Sequence, residues 1–434
     1  MKTPLIFFLA ILTIHITNAQ KWDSVGNGIT GGSSSPSVLA LATYNGELYA
    51  GGRFDSAGGK PASNIARWDG TKWLNVGTGA NSWVYALTVY NGKLYAAGVF
   101  DSTGGVLTCG IACWDGAKWD SAATRNTLIA YPSALMVYNG SLYVGGNTNV
   151  AVLNGTNWNV LGNGFNDFVN SLGGYNSTVF AGGIFDETSV SSIVVNYISQ
   201  WNGSNWTQVG SGMNEPDGYV YSFLTWNGKL YVGGEFTTAG GINSYGIASW
   251  DGSNWDSVGT SIYPYVYAMT TFKGNLIAAG AGGFNQIEQW DGTKWDSLGA
   301  GITSGFDVNA LAVYNGEVYA GGTFTGAGNI AVNNIARWCD TCAIVNSTAY
   351  INENTNYFSF YPNPASTEIN IVLHRSMDGT VTLTNVLGQD VFSTTITGNS
   401  GEVKKLDISG LPQGVYMLKI ESNGQVVTKK VLKI

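Results

Sequence analysis

The chain has 434 residues, of which 11% are charged and 13% aromatic, with 60 glycines and a formal net charge of −8. A chain with this much apolar and aromatic surface is not disordered by composition, and its length allows more than one domain. No basic patch stands out, which argues against a nucleic-acid partner. The scattered excess of acid is typical of a soluble surface.

Residues 1–19 are predicted to be a secretory signal peptide. Lys2 supplies the positive charge, Pro4 to Ile16 form the apolar stretch, and Thr17-Asn18-Ala19 supplies compact residues at the cleavage position. The apolar stretch is short for a bilayer span, and no other stretch reaches about 18 apolar residues. We therefore expect no transmembrane segment, and a mature protein that is secreted or attached to the outer surface by something other than a helix.

One unit recurs seven times over residues 20–342. Each unit holds four strand-like runs, which in the first unit are Val38 to Tyr44, Glu47 to Phe54, Asn64 to Trp68 and Lys72 to Gly77. The tryptophan after the last turn of each unit recurs as Trp22, Trp73, Trp119, Trp158, Trp206, Trp255 and Trp295. Four short strands at this spacing are the pattern of a propeller blade. The sequence therefore predicts an all-β fold with a seven-bladed β-propeller.

Two tight turns recur within the units. Asn45-Gly46 joins the first two strands and Asp69-Gly70 joins the last two, and both pairs favour type I′ hairpins. A two-residue turn at Asp69-Gly70 would place Trp68 opposite Thr71, with Trp68 and Trp73 on one face. A glycine also ends the second strand of every unit, which implies a bulge or a close approach of backbones. These glycines are Gly52, Gly98, Gly146, Gly183, Gly234, Gly280 and Gly322.

The last unit stops after its third strand, Asn334 to Trp338, and no fourth strand follows. The segment Lys21 to Gly26 has the sequence of that missing strand. Pairing the two would complete the seventh blade and remove two open sheet edges. We therefore expect the N-terminal strand to close the ring.

Four cysteines fit an oxidising compartment: Cys109, Cys113, Cys339 and Cys342. They are interpreted as disulfides or free thiols, and the two local pairs, the first two and the last two, need the least rearrangement. A zinc site built from all four is the alternative, although their spacing supports it weakly. No metal or other cofactor is predicted.

Residues 343–356 are polar and aperiodic, as in a linker, and residues 357–434 contain about seven short strands. That pattern predicts a small immunoglobulin-like β-sandwich. The predicted strands include Phe358 to Tyr361, Glu368 to Leu373, Thr380 to Asn385, Val391 to Ile396, Gly414 to Ile420 and Gln425 to Leu432.

Two resemblances follow from these motifs. The units, such as Leu48 to Phe54 with Ile65 to Trp73, resemble kelch-type propellers and, more closely, the propeller of fungal cortical cell-polarity marker proteins. The tail, through Tyr361-Pro362-Asn363-Pro364-Ala365-Ser366, Thr384 to Gln389 and Lys429 to Ile434, resembles the type A C-terminal sorting domain of the type IX secretion system of Bacteroidota. The second resemblance implies that the secretion machinery is a partner. It also implies passage across the outer membrane, followed by release or by linkage to surface lipopolysaccharide.

Catalytic residues are scarce in the repeated region. Histidine occurs only as His15 and His374, so Ser-His-Asp and Cys-His arrangements and histidine metal sites are excluded from it. Carboxylates outside the repeated positions remain, and two of them about 5 to 9 Å apart could make a glycosidase. Nothing in the sequence brings two that close.

The variable loops make a better candidate site. Loops between strands two and three, and between one unit and the next, lie on the face opposite the tight turns and carry aromatic rings with Asn and Asp. Such rings pack on the apolar faces of sugars or peptides while polar groups bind hydroxyls. The candidate ligand residues are Trp83, Arg125, Phe165, Asp167, Glu215, Asp217, Tyr263 and Asp307. Trp83, Phe165 and Tyr263 are expected to be exposed, whereas Tyr85, Tyr221 and Tyr267 are expected to lie in the core between blades.

The sequence thus predicts a secreted or cell-surface binding module for a glycan or protein ligand. A histidine-independent extracellular glycosidase or lyase, and a structural or adhesive surface protein, are the alternatives.

Overall fold

The computed structural model describes residues 21–32, 35–122, 130–190, 192–214, 218–259, 265–282, 286–339, 358–385, 389–422 and 425–434. The chain divides into two compact units, Met1–Ala343 and Ile344–Ile434. Regular structure in these ranges is entirely β, as predicted. Within them, no helix is long and apolar enough to cross a membrane.

In the first unit, the main strands form seven antiparallel groups of four, called sheets 1 to 7. Sheets 1 to 4 are Ser37–Tyr44, Glu47–Arg53, Ile65–Trp68, Trp73–Asn75; Val84–Tyr90, Lys93–Gly98, Ile111–Trp114, Trp119–Ser121; Ala134–Tyr138, Ser141–Gly145, Val150–Asn154, Asn157–Val160; and Val169–Tyr175, Thr178–Gly183, Ile198–Trp201, Trp206–Gln208. Sheets 5 to 7 are Tyr219–Trp226, Lys229–Glu235, Ile247–Trp250, Trp255–Ser257; Tyr265–Phe272, Asn275–Ala281, Ile287–Trp290, Trp295–Ser297; and Ile302–Tyr314, Glu317–Ala327, Ile335–Cys339, Lys21–Ser24.

Shorter strands extend some of the loops between second and third strands. They are Ser56–Ala57, Lys60–Pro61, Ser102–Thr103, Val106–Leu107, Thr238–Ala239, Ile242–Asn243 and Ile330–Ala331. A further short strand, Ile29–Thr30, lies between Lys21–Ser24 and the first strand of sheet 1, and it pairs with Ser56–Ala57. Sheets 5 and 6 are joined by a single pair between Glu235 and Tyr265. The second and third strands of each sheet are mostly buried on both faces, because each sheet packs between two others.

The first strands of the seven sheets contact one another in a closed cycle, since the first strand of sheet 7 packs against those of both sheet 6 and sheet 1. The predicted N-terminal pairing is confirmed: Lys21 lies opposite Cys339 and Ser24 opposite Ala336. Asp23 forms an ion pair of 2.9 Å with Arg337. The segment Lys21–Ser24 therefore supplies the fourth strand of sheet 7.

The Asn-Gly turns have the predicted form, because Tyr44 lies opposite Glu47 and both turn residues have positive φ, 49° and 77°. The predicted register of the Asp-Gly hairpin is wrong. Trp68 lies opposite Trp73, so the loop contains four residues rather than two. The Asp69 carboxylate explains the longer loop, since its Oδ1 accepts bonds of 2.8 Å from the backbone N–H groups of Thr71 and Lys72.

The cysteines differ in state. Cys109 and Cys113 are free thiols, so the predicted local disulfide between them is not formed. Burial raises the pKa of the Cys113 thiol. Cys339 is disulfide-bonded, and Cys342 lies outside the described residues.

The second unit is a sandwich of two antiparallel sheets with seven strands in the described residues. One sheet contains Phe358–Tyr361, Glu368–Leu373 and Val403–Asp407, and the other contains Met377–Asn385, Asp390–Gly398, Gly414–Ser422 and Gln425–Lys433. Residues of both sheets share one core, including Phe358, Ile371, Leu383 and Leu418. The predicted strands agree with these within a few residues.

Trp22 provides a test of ring closure. It is buried, its ring centroid lies 5.5 Å from that of Trp338, and its indole N–H donates a bond of 2.9 Å to the Leu298 carbonyl. We expect Trp22→Ala to lower the free energy of unfolding by about 3 to 5 kcal/mol, as for other buried aromatic residues. Chemical denaturation measures this, with exposed Lys21→Ala as the control. An equal, small effect of both substitutions would show that the N-terminal strand is dispensable.

Candidate functional site: a cavity at the centre of the seven sheets

A cavity of about 940 Å³ opens among the first strands of the seven sheets, at the end opposite the Asn-Gly turns. Every sheet contributes to its wall. The lining residues are Leu39, Ser82, Trp83, Tyr85, Val99, Tyr131, Ser133, Phe168, Asn170, Tyr221, Tyr267, Asp307 and Asn309. Six of these side chains are aromatic, so the wall combines flat apolar faces with a few polar groups, as in many ligand sites.

A β-bulge near the start of the first strand presents one lining residue. In sheet 5, Val220 lies opposite Gly234 and Ser222 opposite Gly233, which leaves Tyr221 as the extra residue. The same irregularity occurs in sheets 1, 2, 4, 6 and 7. The residues at these bulges all line the cavity, namely Leu39, Tyr85, Asn170, Tyr221, Tyr267 and Asn309. A bulge re-aims a side chain, and here it directs one toward the cavity.

This bulge explains why a glycine recurs at the same position of the second strand in the repeats. A Cβ atom on Gly234 would overlap the carbonyl oxygen of Tyr219, and one on Gly322 would overlap the carbonyl oxygen of Asp307. The bulge brings the backbone of the first strand onto the second strand at this point, so a side chain does not fit. The prediction that these glycines mark a bulge or a close backbone approach is confirmed for both positions.

The prediction that Tyr85, Tyr221 and Tyr267 belong to the core between sheets is wrong. All three are half-buried and line the cavity. The residue before each of them, a valine such as Val84 or Val220, is fully buried instead. Simple alternation along a strand does not describe these positions because the bulge inserts an additional residue. A variable residue between a valine and a small residue, repeated six times, is the signal that could have identified them.

Four of the six aromatic side chains of the wall contact one another in two pairs. Tyr221 and Tyr267 have ring centroids 5.1 Å apart at an interplanar angle of 81°, and those of Trp83 and Tyr85 are 6.1 Å apart at 84°. The guanidinium of Arg53 lies 5.0 Å from the centroid of the Trp83 ring. Edge-to-face contacts of this kind hold rings in fixed orientations. The wall is therefore an ordered set of apolar faces.

Electrostatics divide the wall into two regions. Burial, and then the nearby charges of Asp307 and Glu235, raise the pKa of the Tyr267 hydroxyl to about 12. Burial and Glu235 also raise the pKa of Tyr221, whose hydroxyl lies 3.5 Å from Glu235 Oε2. Burial raises the pKa of Asp307 itself. Sheets 5 to 7 thus carry negative charge beside aromatic rings, whereas Arg53 lies on the side of sheets 1 and 2.

The predicted ligand residues differ in where they lie relative to the cavity. Trp83, 38% exposed, and Asp307 line the cavity. Asp167 is half-buried outside the cavity wall, and its Oδ1 accepts a bond of 2.8 Å from the Phe168 N–H. The remaining candidates lie outside the described residues: Arg125, Glu215, Asp217 and Tyr263.

Phe165 is not exposed, contrary to the prediction. Its exposed fraction is 0%, and it stacks on Phe185 with ring centroids 3.9 Å apart. It follows a Gly-x-Gly segment, and the residues at the same place in other units, such as Ile29 and Met213, are also buried. The recurrence of an apolar residue after Gly-x-Gly identifies a core position.

Asparagines of the loops before the first strands have a structural role. The Oδ1 atom of Asn214 accepts bonds of 2.8 and 2.9 Å from the backbone N–H groups of Thr237 and Thr238. Asn81 and Asn166 make equivalent bonds in sheets 2 and 4. These amides fix the loops around the cavity. Among the described residues, no group of three or more His, Cys, Asp or Glu side chains is arranged to hold a metal ion.

Comparisons with known proteins identify the second unit. Residues 359–434 match the family described as the Secretion system C-terminal sorting domain. This is the sorting domain of the type IX secretion system, so the protein is exported to the cell surface or the extracellular space. No curated protein sequence matches the chain.

Two solved structures share the fold. They are extracellular domains from B. thetaiotaomicron, described as belonging to a one component system and to a hybrid two component system. Their TM-scores are 0.53 and 0.54, both at 13% identity and with 96% of this chain covered. This chain spans only 58% and 59% of those chains. At this identity the similarity concerns the fold alone.

Gly234→Ala tests the bulge. The new Cβ would meet the Tyr219 carbonyl, so either the bulge or the second strand must shift, and we expect the free energy of unfolding to fall by about 1 to 3 kcal/mol. Gly410→Ala is the control, because its Cβ would meet no atom within 4 Å. Denaturant unfolding measures both, and equal stabilities would contradict the proposed origin of the repeated glycine.

Proposed function

We propose that the first unit is a seven-bladed β-propeller. The closed cycle of first strands supports this architecture, as do the seven groups of four strands and the N-terminal strand that completes sheet 7. A ring of this kind leaves no open sheet edge between its first and last blades. Its axis would run through the cavity.

We further propose that this propeller is a secreted or cell-surface binding module that takes a glycan in the cavity. The observation that carries the proposal is the wall of six aromatic rings interspersed with Ser and Asn side chains. Rings of this kind pack on the apolar faces of sugars, while hydroxyl and amide groups bind sugar hydroxyls. The volume of about 940 Å³ suits a short oligosaccharide better than the flat surface of a folded protein.

Hydrolysis by paired carboxylates draws no support from the described part of the wall, where Asp307 is the single carboxylate. A protein ligand remains the other form of the binding hypothesis. Screening of the intact protein on a glycan array distinguishes the two. Retention of oligosaccharides supports the proposal, and retention of none of them overturns it.

The bulge tyrosines should provide much of the binding energy. We expect Tyr85→Ala and Tyr267→Ala each to weaken binding of an array-selected oligosaccharide by about 1 to 3 kcal/mol, because each removes a ring from the wall. Their thermal stability should change less than their affinity, since both side chains are half-buried rather than core residues. Titration calorimetry measures the affinity.

Asn91→Asp and Asp251→Asn serve as matched controls, because both residues lie in turns at the opposite end of the sheets. They should retain wild-type affinity. If these folded turn variants lost affinity and the tyrosine variants did not, the ligand would bind at the end with the turns, and the proposed site would be wrong.

The tail should direct export and contribute nothing to ligand binding. Removing residues 358–434 should leave the protein in the periplasm, since the sorting domain is lost. Fractionation of cells that express the full and truncated chains measures this, and the truncated protein should keep the affinity of the full chain. Normal surface display of the truncated protein would contradict the expected role of the tail.

A further inference from the structure

The cavity wall is negatively charged on the side that sheets 5 to 7 form. Asp307 belongs to the wall, and among the described residues no donor forms a hydrogen bond with its carboxylate. Glu235 contacts the hydroxyl of the lining residue Tyr221. Burial and then the charges of both carboxylates raise the pKa of the Tyr267 hydroxyl, and Tyr267 belongs to sheet 6, between the sheets that carry them. No Lys or Arg side chain is among the described residues of the wall.

Arg53, a cation whose guanidinium lies against the wall residue Trp83, is already engaged. Its Nε donates a bond of 3.0 Å to the Ser35 carbonyl, and its guanidinium stacks on Trp83. It belongs to sheet 1 and faces the ring of Trp83, just before the first strand of sheet 2. It therefore does not neutralise Asp307 through an ion pair in the described structure.

We infer that the cavity recognises a sugar that carries a protonated amine, held between Asp307 and the rings of Tyr221 and Tyr267. This inference rests on the proposed glycan-binding function and names the substrate class. A partly buried carboxylate without a cationic partner among the described residues is matched by a cationic ligand. The faces of Tyr rings attract the same cation, and this attraction strengthens as water is excluded.

The rest of the wall favours a sugar over a lysine side chain. A lysine needs only the carboxylate and one ring, whereas Asn170, Ser133 and Asn309 add neutral hydrogen-bonding groups around the cavity. Such groups bind the hydroxyls of a pyranose. An unacetylated hexosamine offers hydroxyls, an apolar ring face and an ammonium group together.

The experiment is titration calorimetry of the intact protein with three tetrasaccharides of equal linkage: glucosamine, N-acetylglucosamine and glucose, in a buffer that keeps the amines protonated. We expect the glucosamine tetramer to bind about tenfold more tightly than either neutral one. Asp307→Asn should remove most of this preference by weakening binding of the glucosamine tetramer. Added salt should reduce the preference as well.

Glu235→Gln is the second variant, and it should reduce the preference for the glucosamine tetramer by a smaller amount. It keeps the inference testable if Asp307→Asn folds poorly. Asp256→Asn is the control, because it removes an equal charge from the fourth strand of sheet 5, where Asp256 pairs with Lys229. It should bind as the wild type does.

The outcomes separate the two hypotheses. Equal affinity for all three tetrasaccharides, or an unchanged preference in both Asp307→Asn and Glu235→Gln, overturns the amine assignment and leaves the glycan function intact. Binding of none of the three overturns the amine assignment, and the glycan array then decides the glycan function separately. Binding of a trilysine peptide without binding of the glucosamine tetramer overturns the assignment to a sugar.

Discussion

The architecture of the first unit depends on one repeated hydrogen bond between sheets. The tryptophan in the fourth strand donates its indole N–H to a carbonyl just beyond the fourth strand of the preceding sheet. Trp73 bonds Val25 in this way at 2.9 Å, and Trp119 bonds Val76 at 2.9 Å. The same bond recurs for Trp22, Trp206, Trp255 and Trp295. A buried indole N–H needs an acceptor, so each sheet can bury its tryptophan only beside its neighbour.

A second set of bonds joins neighbouring sheets at the end with the Asn-Gly turns. The Tyr44 hydroxyl donates to the Gly92 carbonyl at 2.9 Å, and the Tyr314 hydroxyl donates to the Gly46 carbonyl at 3.0 Å. The second of these connects sheet 7 to sheet 1. Since each such bond contributes only about 1 kcal/mol, the ring is held by their repetition together with apolar burial between sheets. Closing the cycle is what allows every sheet to have two neighbours.

These contacts between sheets restrict which residues can occur at the end with the Asn-Gly turns, and they leave the side chains at the opposite end free to vary. At the constrained end, the turn residues have positive φ and the aromatic residues bond the next turn. At the free end, the bulge releases one side chain per sheet from the packing between sheets. Those side chains therefore differ without disturbing the core, and they are Leu39, Tyr85, Asn170, Tyr221, Tyr267 and Asn309 in the six bulged sheets. A regular frame thus surrounds a chemically asymmetric cavity.

The sequence by itself determined the β-class of the fold, the pairing of Lys21–Ser24 with the last strand, the strands of the sorting domain, and the end of the sheets at which a cavity forms. These features rest on local rules: positive φ at Asn-Gly turns, repetition of one unit, and a strand missing at one end and present at the other. Trp83 and Asp307 were found in the same way, because they interrupt the repeat in segments that the sequence predicts to be loops, although Asp307 lies within the strand Ile302–Tyr314.

Only the tertiary structure decided which side chains face the cavity. Phe165 is enclosed by Phe185 from a distant loop, and Tyr221 is directed into the cavity by a bulge whose partner is Gly234 on another strand. The register of the Trp68 hairpin depended on bonds from the Asp69 carboxylate that compete with a two-residue turn. In each case the outcome depends on contacts between segments or on a choice between local hydrogen bonds of similar energy. Hydrophobicity and spacing along the chain do not distinguish such alternatives, whereas packing in three dimensions does.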